Sequence, residues 1–444
     1  MATACLAIGA VLVSVTCTLL LAGCASTQRP ATAVPSSPVP TAGGPASSLG
    51  ELAASGSASG TATTAVLHGM AWRIVRDEVV AAPYYWVVDG ERVDRWPQIS
   101  PDGSKVVYLP TVDGKATDFD RLVVRDLATG IDRDLTPETG CINTSARWSP
   151  DGNSIAFVKY CRKLGVALPC ELWRIDADGA DPKLLHRVYS VAPGMRGPAL
   201  GIHRWSADGS YLETGWTIWS GGGAEKRIRT DGTGDEDAVY PTPSDYGVGD
   251  GALVAGRSLS PAGDYTLQVV RTSGLLQKPK GAPEIGYSLV LYDLQANRSM
   301  VLGSFPGLLY LSRSSISPDG EWIVFQVVPL SSSGLPDGPA RLWVVRRDGT
   351  VLREITTEPY ELVQDGGLLW SDGGRAYFNG LPGNARNQVE GHLYELDAAS
   401  GVARLVTADC RMHDLVSVSR DGRRLLVVRG GWDKAELHLL ELSP

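Results

Sequence analysis

Motifs that carry chemistry are scarce in these 444 residues. There is no Gly-x-Ser-x-Gly elbow, no His-Glu-x-x-His pair and no phosphate-binding glycine loop, so the usual signatures of serine hydrolases, zinc peptidases and nucleotide hydrolases are missing. Cys-x-x-Cys and close histidine spacings are also absent, and neither a metal nor another cofactor is expected. Six histidines are scattered along the chain: His68, His186, His203, His392, His413 and His438. The acidic run from Asp231 to Asp237 does not follow a calcium-loop spacing and reads as a solvated turn. Basic charge is short as well. The net charge of −8 gives no electrostatic footprint for nucleic acid. Only nine of the 41 basic residues are Lys.

What is present starts with an export signal. Leu6 to Leu21 is apolar apart from Gly, Ser, Thr and Cys, too short to span a membrane comfortably and suited to a signal-peptide core. It ends in Leu21-Ala22-Gly23-Cys24, which resembles a bacterial lipobox. That resemblance implies removal of residues 1–23, diacylation of Cys24, and anchoring to the outer face of the cytoplasmic membrane in the cell envelope. No Lys or Arg precedes the apolar run, a departure from the usual basic start of such signals. Residues 24–66 are dominated by Ala, Ser, Thr, Pro and Gly and bury too little apolar surface to offset their ordering entropy. They are expected to form a disordered tether, leaving residues 67–444 as the folded domain.

Within that domain one turn recurs seven times. It reads Ser100-Pro101-Asp102-Gly103, Ser149-Pro150-Asp151-Gly152, Ser206-Ala207-Asp208-Gly209, Ser260-Pro261-Ala262-Gly263, Ser317-Pro318-Asp319-Gly320, Ser371-Asp372-Gly373-Gly374 and Ser419-Arg420-Asp421-Gly422. Successive serines lie 49, 57, 54, 57, 54 and 48 residues apart, a period that fits one four-stranded blade with variable loops. Each turn follows an apolar residue and precedes a β-rich run such as Ile155-Ala156-Phe157-Val158. Pro fixes φ, Asp bonds nearby backbone and Gly takes positive φ. The 51 Gly and 28 Pro suit many short strands joined by turns. The predicted fold is all-β: a seven-bladed β-propeller of four-stranded antiparallel blades. After the seventh turn only three strands remain, so the fourth is expected from the N-terminal stretch between Trp72 and Val93, closing the ring.

These repeats, most clearly Trp148-Ser149-Pro150-Asp151-Gly152, resemble the PD40 (WD40-like) repeats of the TolB-like propeller family over roughly residues 70–444. The resemblance implies the fold and little about activity. The fourth turn lacks the Asp and the sixth lacks the Pro. TolB carries an additional N-terminal domain for which this chain has no room. Since the last repeat runs to Pro444, a peptidase that gates its active site with a propeller is not expected.

Strand direction puts the Ser-Pro-Asp-Gly turns on one side and the long insertions on the other: Pro241–Ala255, Cys161–Cys170, Ser273–Gly286, Leu330–Pro339 and Leu381–Gly391. Long loops on a rigid scaffold are the usual place for binding. The channel mouth on that side is assigned Arg147, His203, Arg204, Arg257, Arg313 and His413, as candidates for holding an anionic group. Of the cysteines left after signal removal, Cys161 and Cys170 are the first choice for a disulfide because they bracket one loop, with Cys141–Cys410 remaining. A simple hairpin register would instead set Cys141 opposite Cys161. The expected function is a monomeric envelope lipoprotein that binds a protein or glycan through its long-loop face and meets the membrane only through its lipid. The alternative is a propeller enzyme, a polysaccharide lyase or lactone hydrolase, with His and Arg at the channel mouth.

Overall fold

The computed structural model describes most of residues 72–443. Residues 1–71, 83–86, 89–90, 93–96, 111–120, 138–140, 162–168, 189–198, 218–222, 238–252, 261, 273–285, 307–308, 331–340, 356–359, 363–367, 383–391, 408–412, 431–434 and 444 lie outside the described residues. The anticipated signal peptide, tether and Cys24, and most of each long loop, fall in those stretches. Among the described residues there is no α-helix. Six four-stranded antiparallel sheets and one five-stranded sheet account for every strand except a two-stranded ribbon, Val87–Val88 with Glu91–Arg92.

Six sheets follow chain order strand by strand, so each is a simple meander forming one blade. Blade six differs only in that its inner strand is split into Tyr360–Leu362 and Leu368–Trp370, both paired with Arg375–Pro382. Blade seven breaks chain order. Its outermost strand is Arg73–Ala81 from the N-terminal end, antiparallel to Glu436–Ser443 at the C-terminal end. This is the closing strand expected from the sequence, and it fastens the ring with three strands from one end of the domain and one from the other.

The core is distributed as wedges between neighbouring blades. Adjacent residues of a strand point to opposite sheet faces, so a single strand feeds two wedges. Leu426 and Val428 pack with Val106, Tyr108 and Val123 of blade one, while Leu425 and Val427 pack with Tyr377 and Leu393 of blade six. Two-sided burial explains the nearly continuous apolar runs in second and third strands such as Trp322–Pro329, broken only by Gln326. Hydrogen bonds between inner strands add to the wedges. Trp148 and Trp205 each donate the indole N–H to a backbone carbonyl one blade back, Gln98 O at 3.1 Å and Arg147 O at 3.2 Å. Trp370 donates to Ser315 Oγ at 3.0 Å, and Ile99 N donates to Ser417 Oγ at 3.0 Å across the join between blades one and seven.

The recurring turns are built around a buried serine. Ser149 Oγ donates to Asp151 at 2.6 Å and accepts the backbone N–H of Ser154 at 2.9 Å, and the same pair of bonds forms at Ser100, Ser206, Ser317 and Ser419. The fourth turn recovers its missing carboxylate from one residue beyond the glycine, with Ser260 Oγ donating to Asp264 at 2.6 Å. The sixth turn is one residue shorter, Ser371 N donating to Arg375 O where other turns reach the fifth residue on. In all seven the last glycine has φ between 69° and 78°, so a side chain there would be strained. Substituting Ser317→Ala is expected to cost about 1–3 kcal/mol, because the N–H of Trp322 and the carboxylate of Asp319 each lose a partner. Urea denaturation checks this; a loss under about 0.5 kcal/mol would show that water replaces the hydroxyl.

Candidate functional site

The inner strands line the axis, and their irregularities determine what the channel wall presents. In five of them the ladder to the second strand skips at an equivalent place: between Thr144 and Arg147, Ile202 and Arg204, Ala255 and Ser258, Ser312 and Ser315, and Leu415 and Ser417. Each skip lies three or four residues before the turn serine. Bulges of this kind re-aim side chains and recur near functional sites. Blade two's bulge holds Ser145 at φ 52°, a buried non-glycine residue in the left-handed region.

Five of the six mouth candidates belong to this bulge belt or sit next to it. His203 lies in the blade-three bulge, Arg257 and Arg313 in those of blades four and five, and Arg147 and Arg204 immediately after theirs. They therefore lie toward the Ser-turn end of the inner strands and do not gather at the long-loop mouth. The reason is strand direction: each inner strand runs from the long-loop side to the turn side, and these residues come two to four positions before the turn. His413, the first residue of His413–Val418, is the one placed at the long-loop end. The side chains of Arg257, Arg313 and His413 lie outside the described residues.

Arg204 has a structural task. Its Nε donates to Glu213 at 2.7 Å, where that carboxylate is 1% exposed, and its Nη1 donates to Ser260 O of the next blade at 2.8 Å. Similar clamps repeat along the turn side. Arg133 reaches Asp178 O at 2.9 Å, Arg353 reaches Ser400 O at 2.6 Å, and Lys183 and Arg424 reach Asp231 O and Gly103 O. Arg420, standing where four other turns have Pro, donates to Pro150 O at 3.1 Å, two blades onward around the ring. The turn carboxylates are committed as well. Burial works to raise the Asp102 carboxyl, but hydrogen bonds from Ser100 and Ser104 outweigh it and bring the group to about 2. On exposed Asp208 the bonds from Ser206 and Ser210 likewise lower it to about 2.

The cysteines correct one expectation. Cys170 is a free, buried thiol, so the Cys161–Cys170 bridge is not formed. The register explains why. Cys170 stands across from Tyr160, which puts it on the sheet face opposite to position 161. Cys141 is disulfide-bonded, and its direct cross-strand neighbour is Cys161. Burial pushes the Cys170 thiol up to about 11 in the wedge between blades two and three, which leaves it an inert core residue.

A run of polar contacts lies at the seam where the N-terminal strand closes blade seven. Trp72 donates its indole N–H to Glu395, a carboxylate of blade six that is 3% exposed. Arg375 pairs with the same carboxylate at 2.9 Å and lies 5.5 Å from the centre of the Trp72 ring. A few residues on, Asp77 meets Arg429 and His438, and His438 also meets Glu436. None of these residues belongs to the turn motif, and Trp72 and Asp77 precede the first repeat. Among the described residues no group of three or more His, Cys, Asp or Glu is placed to hold a metal ion.

Neither a protein-family profile nor the sequence of a curated protein matches this chain. Solved structures do. An oligogalacturonate lyase in complex with manganese aligns with TM-score 0.50 and 13% identity over 86% of this chain and 98% of that one. The β-propeller domain of the Trilobed protease from Pyrococcus furiosus aligns with TM-score 0.48 and 16% identity over 78% and 95% of the two chains. The chain is a β-propeller. TolB also stands among its structural neighbours: a putative TolB from Agrobacterium tumefaciens gives TM-score 0.37 and 18% identity over 72% and 96%. At such identities the likeness concerns the fold, and the function has to be argued from the residues.

Proposed function

We propose that the protein is a cell-envelope lipoprotein, anchored through Cys24, whose propeller binds a protein or glycan through its long-loop face. The observation that supports this reading is the commitment of the turn side's polar groups to holding blades together. On the turn side Arg133, Lys183, Arg204, Arg353, Arg420 and Arg424 all donate to backbone carbonyls of other blades, and the turn carboxylates accept from their own serines. That side is a rigid base. The long insertions leave from the other end, where a rigid base supports recognition by loops. A lipid anchor and a low-complexity tether fit a protein that works at a surface.

The test uses the full chain in its own envelope. Replacing Ser273–Gly286 and Leu330–Pro339 with short Gly-Ser linkers is expected to abolish a crosslinked partner or glycan pulldown while the melting temperature stays within a few degrees. Cys24→Ser is expected to move the protein out of the membrane fraction and remove acyl labelling. Retained capture in the loop variant would overturn the binding face. Manganese-dependent depolymerisation of a polysaccharide by the purified protein would favour the lyase alternative.

A further inference from the structure

We propose that His438, Asp77, Arg429 and Glu436 form a proton-operated latch on the closing seam, holding the N-terminal strand more tightly when the imidazole carries two protons than when it carries one. His438 and Arg429 are nearly enclosed, with side chains 9% and 6% exposed, while Asp77 and Glu436 reach them from the surface at 37% and 47% exposed. His438 Nδ1 lies 2.8 Å from Asp77 Oδ1, and its Nε2 lies 3.0 Å from Glu436 Oε2. Both partners are carboxylates, which only accept when ionised, so both bonds form together only on an imidazolium. Asp77 keeps its charge throughout. Burial acts to raise its carboxyl, but hydrogen bonds from Arg429 and His438 outweigh this and hold it below the ordinary carboxylate value.

The same atoms offer a second arrangement. With the proton retained on Nε2, His438 still donates to Glu436, and the bare Nδ1 can accept from Arg429 Nη1 at 3.3 Å. Asp77 then keeps Arg429 but loses the imidazole donor and faces a lone pair. Of the four groups, only Asp77 belongs to the N-terminal strand; Arg429 lies on Arg424–Arg429, and Glu436 shares the strand of His438. The bond that depends on the second proton is therefore one that crosses the seam. Among the described residues these are the charged groups that face the imidazole. Arg76 and Glu78 pair with each other on the N-terminal strand, and His413, across the ladder from Arg429, has its side chain outside the described residues. The second proton adds a bond across the seam, and that contribution is lost when the imidazole gives the proton up.

Hydrogen–deuterium exchange on the full chain tests this, with labelling times matched for intrinsic exchange and the strand Trp322–Pro329 of blade five as internal reference. Protection of Arg73–Ala81 relative to that reference is expected to fall about tenfold between about pH 5.5 and about pH 8. An unchanged ratio in the wild-type chain overturns the latch, as does the same fall in His438→Gln. Should that variant not fold, nitrogen NMR of the wild-type imidazole decides. Both nitrogens are expected to carry protons at the acidic end and Nε2 alone at the basic end. A proton remaining on Nδ1 would leave the Asp77 bond intact and refute the proposal.

Discussion

A chain beginning at Pro83, and so lacking Trp72 and the strand Arg73–Ala81, is expected to lose cooperative monomeric folding. The deletion removes Val80 from the wedge shared by blades seven and one and Trp72 from the wedge shared by blades six and seven. It also strips the ladder partner from Glu436–Ser443, an apolar strand whose edge then stands open to pairing with another chain. Full burial of each of these two side chains contributes about 1.5–3 kcal/mol, and about nine residues of ladder are lost besides. The total is comparable with the 5–15 kcal/mol or so that typically separates a folded domain from its unfolded chain. Light scattering after gel filtration should show dimers or larger species, and calorimetry a broadened, lowered transition. A synthetic peptide covering residues 72–81 should restore part of both. A truncated chain that stays monomeric and equally heat-resistant would refute ring closure by this strand.

Trp72→Ala is the point substitution expected to cost most, about 3–5 kcal/mol. It leaves a cavity in an inter-blade wedge, removes the ring beside Arg375 and deprives Glu395 of a donor at a buried site. Trp72→Phe separates these effects. It keeps an aromatic face for Arg375 and loses the indole N–H, so about 1–3 kcal/mol is expected. Adding Glu395→Gln to Trp72→Ala should recover part of the loss, because a neutral amide needs less compensation than a carboxylate. Urea denaturation of the wild type, Trp72→Ala, Glu395→Gln and the double variant closes a double-mutant cycle. A coupling near zero between positions 72 and 395 would mean that the bond does nothing for the fold.

The repeat made most of the fold legible in advance because turn chemistry is local. Ser, Asp and Gly at fixed offsets specify a hairpin whatever surrounds them, and seven such hairpins leave few architectures open. Even the missing strand could be counted. The fourth turn shows the limit of a motif, since Asp264 does the work of the absent Asp from outside the four-residue window. The bulge belt was not legible because a bulge is a property of register, and Ser145, His203 and Arg257 occupy equivalent places with three different residue types. The bonds of Arg204 were not legible for a related reason: its partners Glu213 and Ser260 come together only when two blades pack. The Cys161–Cys170 expectation followed sequence proximity, whereas alternation along the strand sets position 161 and Cys170 on opposite faces.

The closing seam also has a mechanical meaning. The N-terminal strand opens the described part of the propeller, so a pull on that end of it bears on Trp72. The indole and Glu395 there tie the strand to blade six, while the ladder ties it to blade seven. Load is thus shared between two blades. A pull on that end of the strand works against two blades at once.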